Sequence, residues 1–185
     1  MRRKISKNIK PARLNIVSHS GGETEEIARS FLMKLNPIKK KATIVGLYGD
    51  LGTGKTNFTQ AAAKYFGVKR KVNSPTFVII KKYPIPWQGV HKNFLATKTK
   101  PVLAGENFYE RPAFKYLFHI DAYRLKNEKE LIHLGWEELI SNPKHLIFIE
   151  WPERVIKALP KKHHKIFISH TKEGYRNFRI KKVQK

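Results

Sequence analysis

No other segment narrows the fold of this chain as far as Gly49-Asp50-Leu51-Gly52-Thr53-Gly54-Lys55-Thr56, which satisfies G-x-x-x-x-G-K-[ST] at every position. It follows an apolar run, Ala42–Tyr48 (ATIVGLY), and precedes a segment of helical character from Lys55 to about Phe66 that Gly67 ends. Strand, Gly-rich turn and helix in that order form a phosphate-binding loop. The glycines let the backbone curl so that successive N–H groups face a phosphate chain, and the positive end of the helix reinforces them. In such a loop Lys55 neutralises the β- and γ-phosphates and the Thr56 hydroxyl is offered to Mg²⁺.

The remaining sequence supplies the alternating strands and helices of an α/β layered domain. Arg13–His19 reads as a short strand. Ser20-Gly-Gly-Glu23 has the spacing of a capping box, with Glu25 and Glu26 near the positive helix end. Ile27, Ala28, Phe31, Leu32 and Leu35 then recur at helical spacing until Asn36-Pro37 stops them. Thr76–Lys82 (TFVIIKK) is rich in β-branched residues and predicts a strand. Tyr116–Ile120 predicts another, ending on Asp121, and His145–Ile149 a third, ending on Glu150 with Pro152 suited to a helix start. Between the last two, Glu128–Leu139 contains helical turns punctuated by Gly135, and Lys165–Ser169 with Asn177–Lys182 form a terminal strand pair. Pro84, Pro86, Pro101 and Pro112, with Gly89 and Gly105, break this rhythm with a long loop. The expected organisation is a basic arm over 1–12, then one domain over 13–185 with an insertion at about 84–115.

A magnesium-dependent nucleotide site also needs a carboxylate at the end of a neighbouring strand, where ligands of parallel sheets collect. Acids are scarce, 14 Asp+Glu against 38 Lys+Arg, and Asp50 and Asp121 are the only aspartates. Glu150 and Asp121 each close an apolar strand and are the candidates. Asn73-Ser74-Pro75-Thr76 reads either as plain turn chemistry or as a switch whose Thr76 hydroxyl senses the γ-phosphate, the metal or the attacking water. His119, inside an apolar strand, reads as a packed, hydrogen-bonded core residue. His163-His164 lies in a Lys-rich turn and reads as solvated.

The formal net charge is +24, with 41% hydrophobic residues, too many for a disordered basic tail. The absence of cysteine excludes disulfide scaffolds, thiolate metal sites and cysteine nucleophiles. No stretch reaches the roughly 18 apolar residues of a membrane span, and no apolar stretch follows the basic N-terminal residues as a secretory signal requires. A cytoplasmic protein is expected. Residues 1–13 carry six basic groups and no acid, and residues 154–185 carry eleven against Glu173 alone. That charge is either a solvated surface or the footprint of a polyanion such as nucleic acid.

Four segments in this order, LYGDLGTGKT, NSPTFVIIKKY, HIDAYRL and IEWPE, resemble the bacterial TsaE family from about Ser18 to about Ile180. The resemblance implies a P-loop NTPase-like fold, a mixed sheet flanked by helices with antiparallel C-terminal strands. It implies an ATPase, weak alone, acting with TsaD and TsaB subunits in threonylcarbamoyladenosine modification of tRNA, its ATP cycle resetting that complex between turnovers. Carried over residue by residue, Gly49–Thr56 would hold the phosphates, and Thr56 with Glu150 the magnesium. Asp121 would assist hydrolysis or metal binding, and Thr76 would act in the switch. Trp151 belongs to the motif; Glu23-Thr24 would lie near the adenine, and Arg176 in the nucleotide pocket. Thr53 and Asn57 depart from the family's alanine and threonine without removing a phosphate contact. The segment Pro84–Lys115 is longer than the family's usual link and interleaves Trp87, Phe94, Phe108 and Tyr109 with Lys92, Lys98, Lys100 and Arg111. It reads as a surface excursion or as a stacking-and-phosphate surface for tRNA or a partner. Two other classes share the loop: a small P-loop kinase with its own acceptor, and a nucleotide-gated subunit that works by occupancy.

Overall fold

A computed structural model describes residues 14–86 and 114–183. The expected arm, residues 1–12, and most of the expected insertion, including its aromatic and basic residues from Trp87 to Arg111, lie outside the described residues. In chain order the elements are β1 (Leu14–Ser18), α1 (Gly21–Leu32), β2 (Thr43–Tyr48), α2 (Lys55–Tyr65), β3 (Ile80–Pro84) and β4 (Tyr116–Asp121). Then come α3 (Glu128–His133), α4 (Trp136–Ser141), β5 (His145–Glu150), a 3₁₀ segment (Pro152–Ala158), β6 (His164–His170) and β7 (Arg176–Lys181).

The strands form one seven-stranded sheet in the order β1-β7-β6-β2-β5-β4-β3. The central block β6-β2-β5-β4 is parallel, and β3, β7 and β1 are added antiparallel at its margins. This is the mixed sheet with antiparallel C-terminal strands that the resemblance implies. Strands β2 and β5 are apolar along almost their whole length because helices cover both of their faces. On one face α1 and α2 bring Phe31 and Phe58 against Val45, Leu47, Phe148, Ile166, Ile168 and Phe178. On the other, α3, α4 and the 3₁₀ segment pack Leu131, Trp136 and Val155 against Ile44, Ile120, Ile147 and Ile149. The fully buried Trp136 donates its indole N–H to Ala158 O at 2.9 Å, joining α4 to the 3₁₀ segment.

Three expectations need correction. The strand expected over Thr76–Lys82 begins only at Ile80. Thr76–Ile79 is a turn in which the N–H groups of Val78 and Ile79 both donate to Pro75 O, and Phe77 and Val78 are exposed. Its β-branched residues favour a strand locally, but the Thr76 hydroxyl is drawn to Asp121, and that long-range bond outweighs the local preference. Helix α1 stops at Leu32, short of Asn36-Pro37. Its end tightens into bonds from Lys34 N to Phe31 O and from Leu35 N to Leu32 O, which terminate the α-helical ladder. His163 and His164 are buried, not solvated. His163 bridges the Tyr48 hydroxyl at 2.8 Å and Pro160 O at 2.6 Å, while His164 opens β6 and meets Phe31 edge-on.

The capping motif of α1 is half of the expected box. Ser20 Oγ accepts from Glu23 N at 3.1 Å, but the Glu23 carboxylate accepts from His19 N at 2.8 Å, one residue before the cap.

Candidate nucleotide site

The loop between β2 and α2 sits where β2, β5 and β4 end together. At its first residue, Gly49, φ is +141°, and a Cβ there would fall 2.0 Å from the backbone oxygen of Ile168 on β6. Only glycine lets the chain leave β2 at this point. The loop is then closed by the Thr53 hydroxyl, which donates to Asp50 O at 2.9 Å. Thr53 therefore supports the loop through its own backbone.

Lys55 opens α2 with only 4% of its surface exposed. Its Nζ donates to Gly49 O and Asp50 O, both at 2.7 Å, and lies 4.0 Å from the centre of the Trp151 ring. Burial holds the ammonium below the ordinary lysine range, against the opposing pull of Glu150, Glu153, Asp121 and Asp50. Trp151 takes a left-handed backbone conformation, φ +55°, directly after β5. That turn brings its indole face beneath the lysine.

The two strand-end carboxylates are register partners, Asp121 of β4 beside Glu150 of β5. Glu150 is buried, and its Oε1 accepts from the Thr56 hydroxyl at 2.8 Å. The same oxygen lies 2.7 Å from Nε2 of His119, which is wholly buried and leaves its Nδ1 without a hydrogen-bond partner. Asp121 gathers the turn before β3. Its Oδ2 accepts from the hydroxyls of Ser74, at 3.0 Å, and Thr76, and its Oδ1 accepts from Tyr123 N at 3.0 Å. Its own N–H donates to Ile79 O at 2.9 Å, and Ile79 sits at φ +63°, a rare conformation for a β-branched residue.

Lys55, Thr56, Thr76, Asp121, Glu150 and Trp151 all line one cavity of about 330 Å³, with Leu51, Gly52 and Gly54 on its loop side. Ser74 and Tyr123 also line it. The sequence assigns Tyr123 no role, although it stands inside HIDAYRL, whereas Ser74 belongs to the Asn73–Thr76 turn with its switch alternative. Arg176 does not line the cavity but packs against the loop at Gly54: a Cβ there would meet its Nε at 3.0 Å, and that Nε is buried without a hydrogen-bond partner. Glu23 and Thr24 do not line the cavity among the described residues. Thr24 is connected to the loop side through the sheet: its hydroxyl is 2.9 Å from that of Ser18, and Ser18 pairs with Arg176.

The oxygen donors Thr56, Glu150 and Asp121 suit Mg²⁺, which is commonly held by one or two carboxylates together with substrate phosphates. Among the described residues no cluster of three or more His, Cys, Asp or Glu forms a self-sufficient metal cage. The loop and the carboxylates therefore fit a metal that arrives with a phosphate ligand.

Comparison with known proteins identifies the family. The family model described as "Threonylcarbamoyl adenosine biosynthesis protein TsaE" matches residues 18–95 and 101–178. A protein named tRNA threonylcarbamoyladenosine biosynthesis protein TsaE from Rickettsia bellii (strain RML369-C) is 35% identical over 145 residues, 78% of each chain. Its namesake from Bacillus subtilis (strain 168) is 33% identical over 129 residues, 70% of this chain and 63% of that protein. The crystal structure of Bacillus subtilis YdiB superposes with a TM-score of 0.63 at 24% identity, covering 94% of this chain and 87% of that one. The phosphate loop, the Ser74–Thr76 turn and both strand-end carboxylates all fall inside the matched ranges, and the chain belongs to the TsaE family.

Proposed function

We propose that this chain is the ATP-binding and ATP-hydrolysing subunit of threonylcarbamoyladenosine modification of tRNA, resetting a TsaB–TsaD complex between turnovers. The convergence of Lys55, Thr56, Thr76, Asp121 and Glu150 on one cavity beside the glycine loop carries this reading. The loop N–H groups and Lys55 would bind the phosphates, with Arg176 supporting the loop at Gly54 and Glu23-Thr24 bordering the base. Thr56 and Glu150, with Asp121, would hold Mg²⁺, which when bound neutralises charge developing on the phosphates. Asp121 and Thr76 would place the attacking water. His119 would keep the Glu150 carboxylate oriented through its contact with Oε1.

The position of the lysine supports weak activity alone. Its ammonium is engaged by the carbonyls of its own loop and must exchange them for phosphate oxygens. Exposed apolar side chains at the cavity and its switch turn, Leu51, Phe77, Val78 and Tyr123, support a protein partner that covers the site and favours that exchange. Among the described residues no helix is long and apolar enough to cross a membrane, and we place the protein in the cytoplasm. We treat 13–185 as one domain preceded by the basic arm.

Phosphate release measured with and without the TsaB–TsaD pair, and with and without tRNA, tests the reading. Stimulation by the pair is expected. Transfer of labelled phosphate to an added small acceptor would instead select a kinase. Full tRNA modification by a variant that binds ATP but cannot hydrolyse it would select an occupancy-gated subunit.

A further inference from the structure

Among the described residues, the two faces of the sheet are covered unequally. Helices α1 and α2 underlie one face as far as β6 and β7, through Ile166, Ile168, Phe178 and Ile180. The opposite layer, α3, α4 and the 3₁₀ segment, packs over β2, β5 and β4, and no residue of β6, β7 or β1 belongs to it. Strand alternation then turns Lys165, Phe167 and Ser169 of β6, Asn177, Arg179 and Lys181 of β7, and Asn15 and Val17 of β1 outward. None of these is buried.

This face is positive by construction. Strands β1, β6 and β7 contain no Asp or Glu. Lys165 stands directly opposite Lys181 across the β6–β7 ladder, a like-charge pair that weakens a sheet. Their partners are rings instead of carboxylates. The Arg179 guanidinium lies 4.4 Å and the Lys181 ammonium 5.4 Å from the Phe167 ring centre, and Lys165 lies 5.9 Å from that of Tyr48. Tyr48 and Phe167 stack at 4.8 Å. Aromatic faces fix the position of the cations while leaving their charge uncompensated. The ion pairs among the described residues include none of the three.

We propose that this open face of β6, β7 and β1, presenting Lys165, Arg179 and Lys181, binds the phosphate backbone of tRNA directly. Fixed cations without carboxylates match a polyphosphate. A protein interface would call for apolar anchors, and Val17 is the large hydrophobic residue exposed here. The proposal rests on the reading that the chain serves a tRNA-modifying assembly, but it requires neither bound nucleotide nor hydrolysis.

The test is the salt dependence of binding between the full chain and an unmodified tRNA transcript. The triple variant Lys165→Gln, Arg179→Gln, Lys181→Gln should reduce the slope of log K against log salt by about two to three, since each phosphate contact contributes roughly 0.7 to 0.9. Its ATP binding should be unchanged. Lys165→Arg with Lys181→Arg keeps the charge and should keep the slope, separating charge from folding. Lys69→Gln, Arg70→Gln, Lys71→Gln, in the loop that follows α2, should also keep it. An unchanged slope in the first variant, equal losses in both triple variants, or no binding by the unaltered chain at low salt would overturn the proposal. So would loss of TsaB–TsaD binding with tRNA binding intact, which marks a protein interface. Failure of the unaltered chain to bind ATP would count against the nucleotide reading and leave this measurement standing.

Discussion

The Thr56 hydroxyl donates to Oε1 of Glu150 over 2.8 Å, linking the first turn of α2 to the end of a strand 94 residues later. His119 approaches the same oxygen at 2.7 Å from the neighbouring strand, so one buried carboxylate oxygen organises three elements. Glu150→Gln keeps an acceptor at that place but removes the charge. Its magnesium requirement for phosphate release should rise at least about tenfold, with little change in nucleotide affinity. Glu150→Ala should also lower stability by about 2 kcal/mol, because the buried His119 and the half-buried Thr56 lose their acceptor. An unchanged magnesium titration for Glu150→Gln would contradict the metal role.

Lys55→Ala removes the only side-chain cation that the phosphate loop itself supplies. ATP hydrolysis should fall by about 10²- to 10³-fold, the usual consequence of deleting one charge-stabilising donor. The measurement is phosphate release by protein freed of contaminating ATPases; substantial residual turnover would remove Lys55 from the chemistry.

The Ser74–Ile79 turn is tethered to Asp121 by two hydroxyls. Thr76→Val deletes one tether and should weaken local protection by about 1 kcal/mol, roughly a fivefold faster amide exchange over residues 76–79. Hydrogen exchange read by mass spectrometry checks this. Equal exchange in both proteins would mean that the Thr76 tether does not hold the turn.

Two loop glycines should respond very differently to alanine. At Gly49 the new Cβ would collide with the Ile168 backbone oxygen, at 2.0 Å, and the cost should exceed about 3 kcal/mol. At Gly52, φ +79°, nothing lies within 4 Å, and only the backbone strain of about 1 kcal/mol remains. Urea midpoints of the two variants provide the comparison, and equal midpoints would contradict the close approach of β2 and β6.

His164 is held to a pKa of about 4 from an ordinary 6.5, chiefly by burial and then by the charges of Lys182 and His163. Between these values the unfolded chain binds more protons than the folded one. Stability should therefore fall as pH drops from about 6.5 toward 4, by up to about 3 kcal/mol from this group. His163 is lowered in the same direction. His164→Gln, which does not titrate, should flatten the pH dependence of the urea midpoint across that window; an equally steep dependence would assign it to other groups.

The phosphate loop, α2, and the strands ending at Asp121 and Glu150 were legible in the sequence because each is written in adjacent residues. Apolar runs, glycine spacing and strand-end acids are local signals. The Thr76–Ile79 turn was not legible. Its β-branched residues favour a strand, and only Asp121, 45 positions away, draws the Thr76 hydroxyl and bends the chain. His163 and His164 followed the same logic, since a Lys-rich neighbourhood looks solvated until Tyr48, Pro160 and Phe31 close around the rings. Sequence alone determined the glycine loop and the two acids that end β4 and β5 beside it, because those depend on local pattern. Tertiary structure decided which hydroxyls reach which carboxylate, where Arg176 rests, and which half of the sheet stays open, because those depend on strand order and burial.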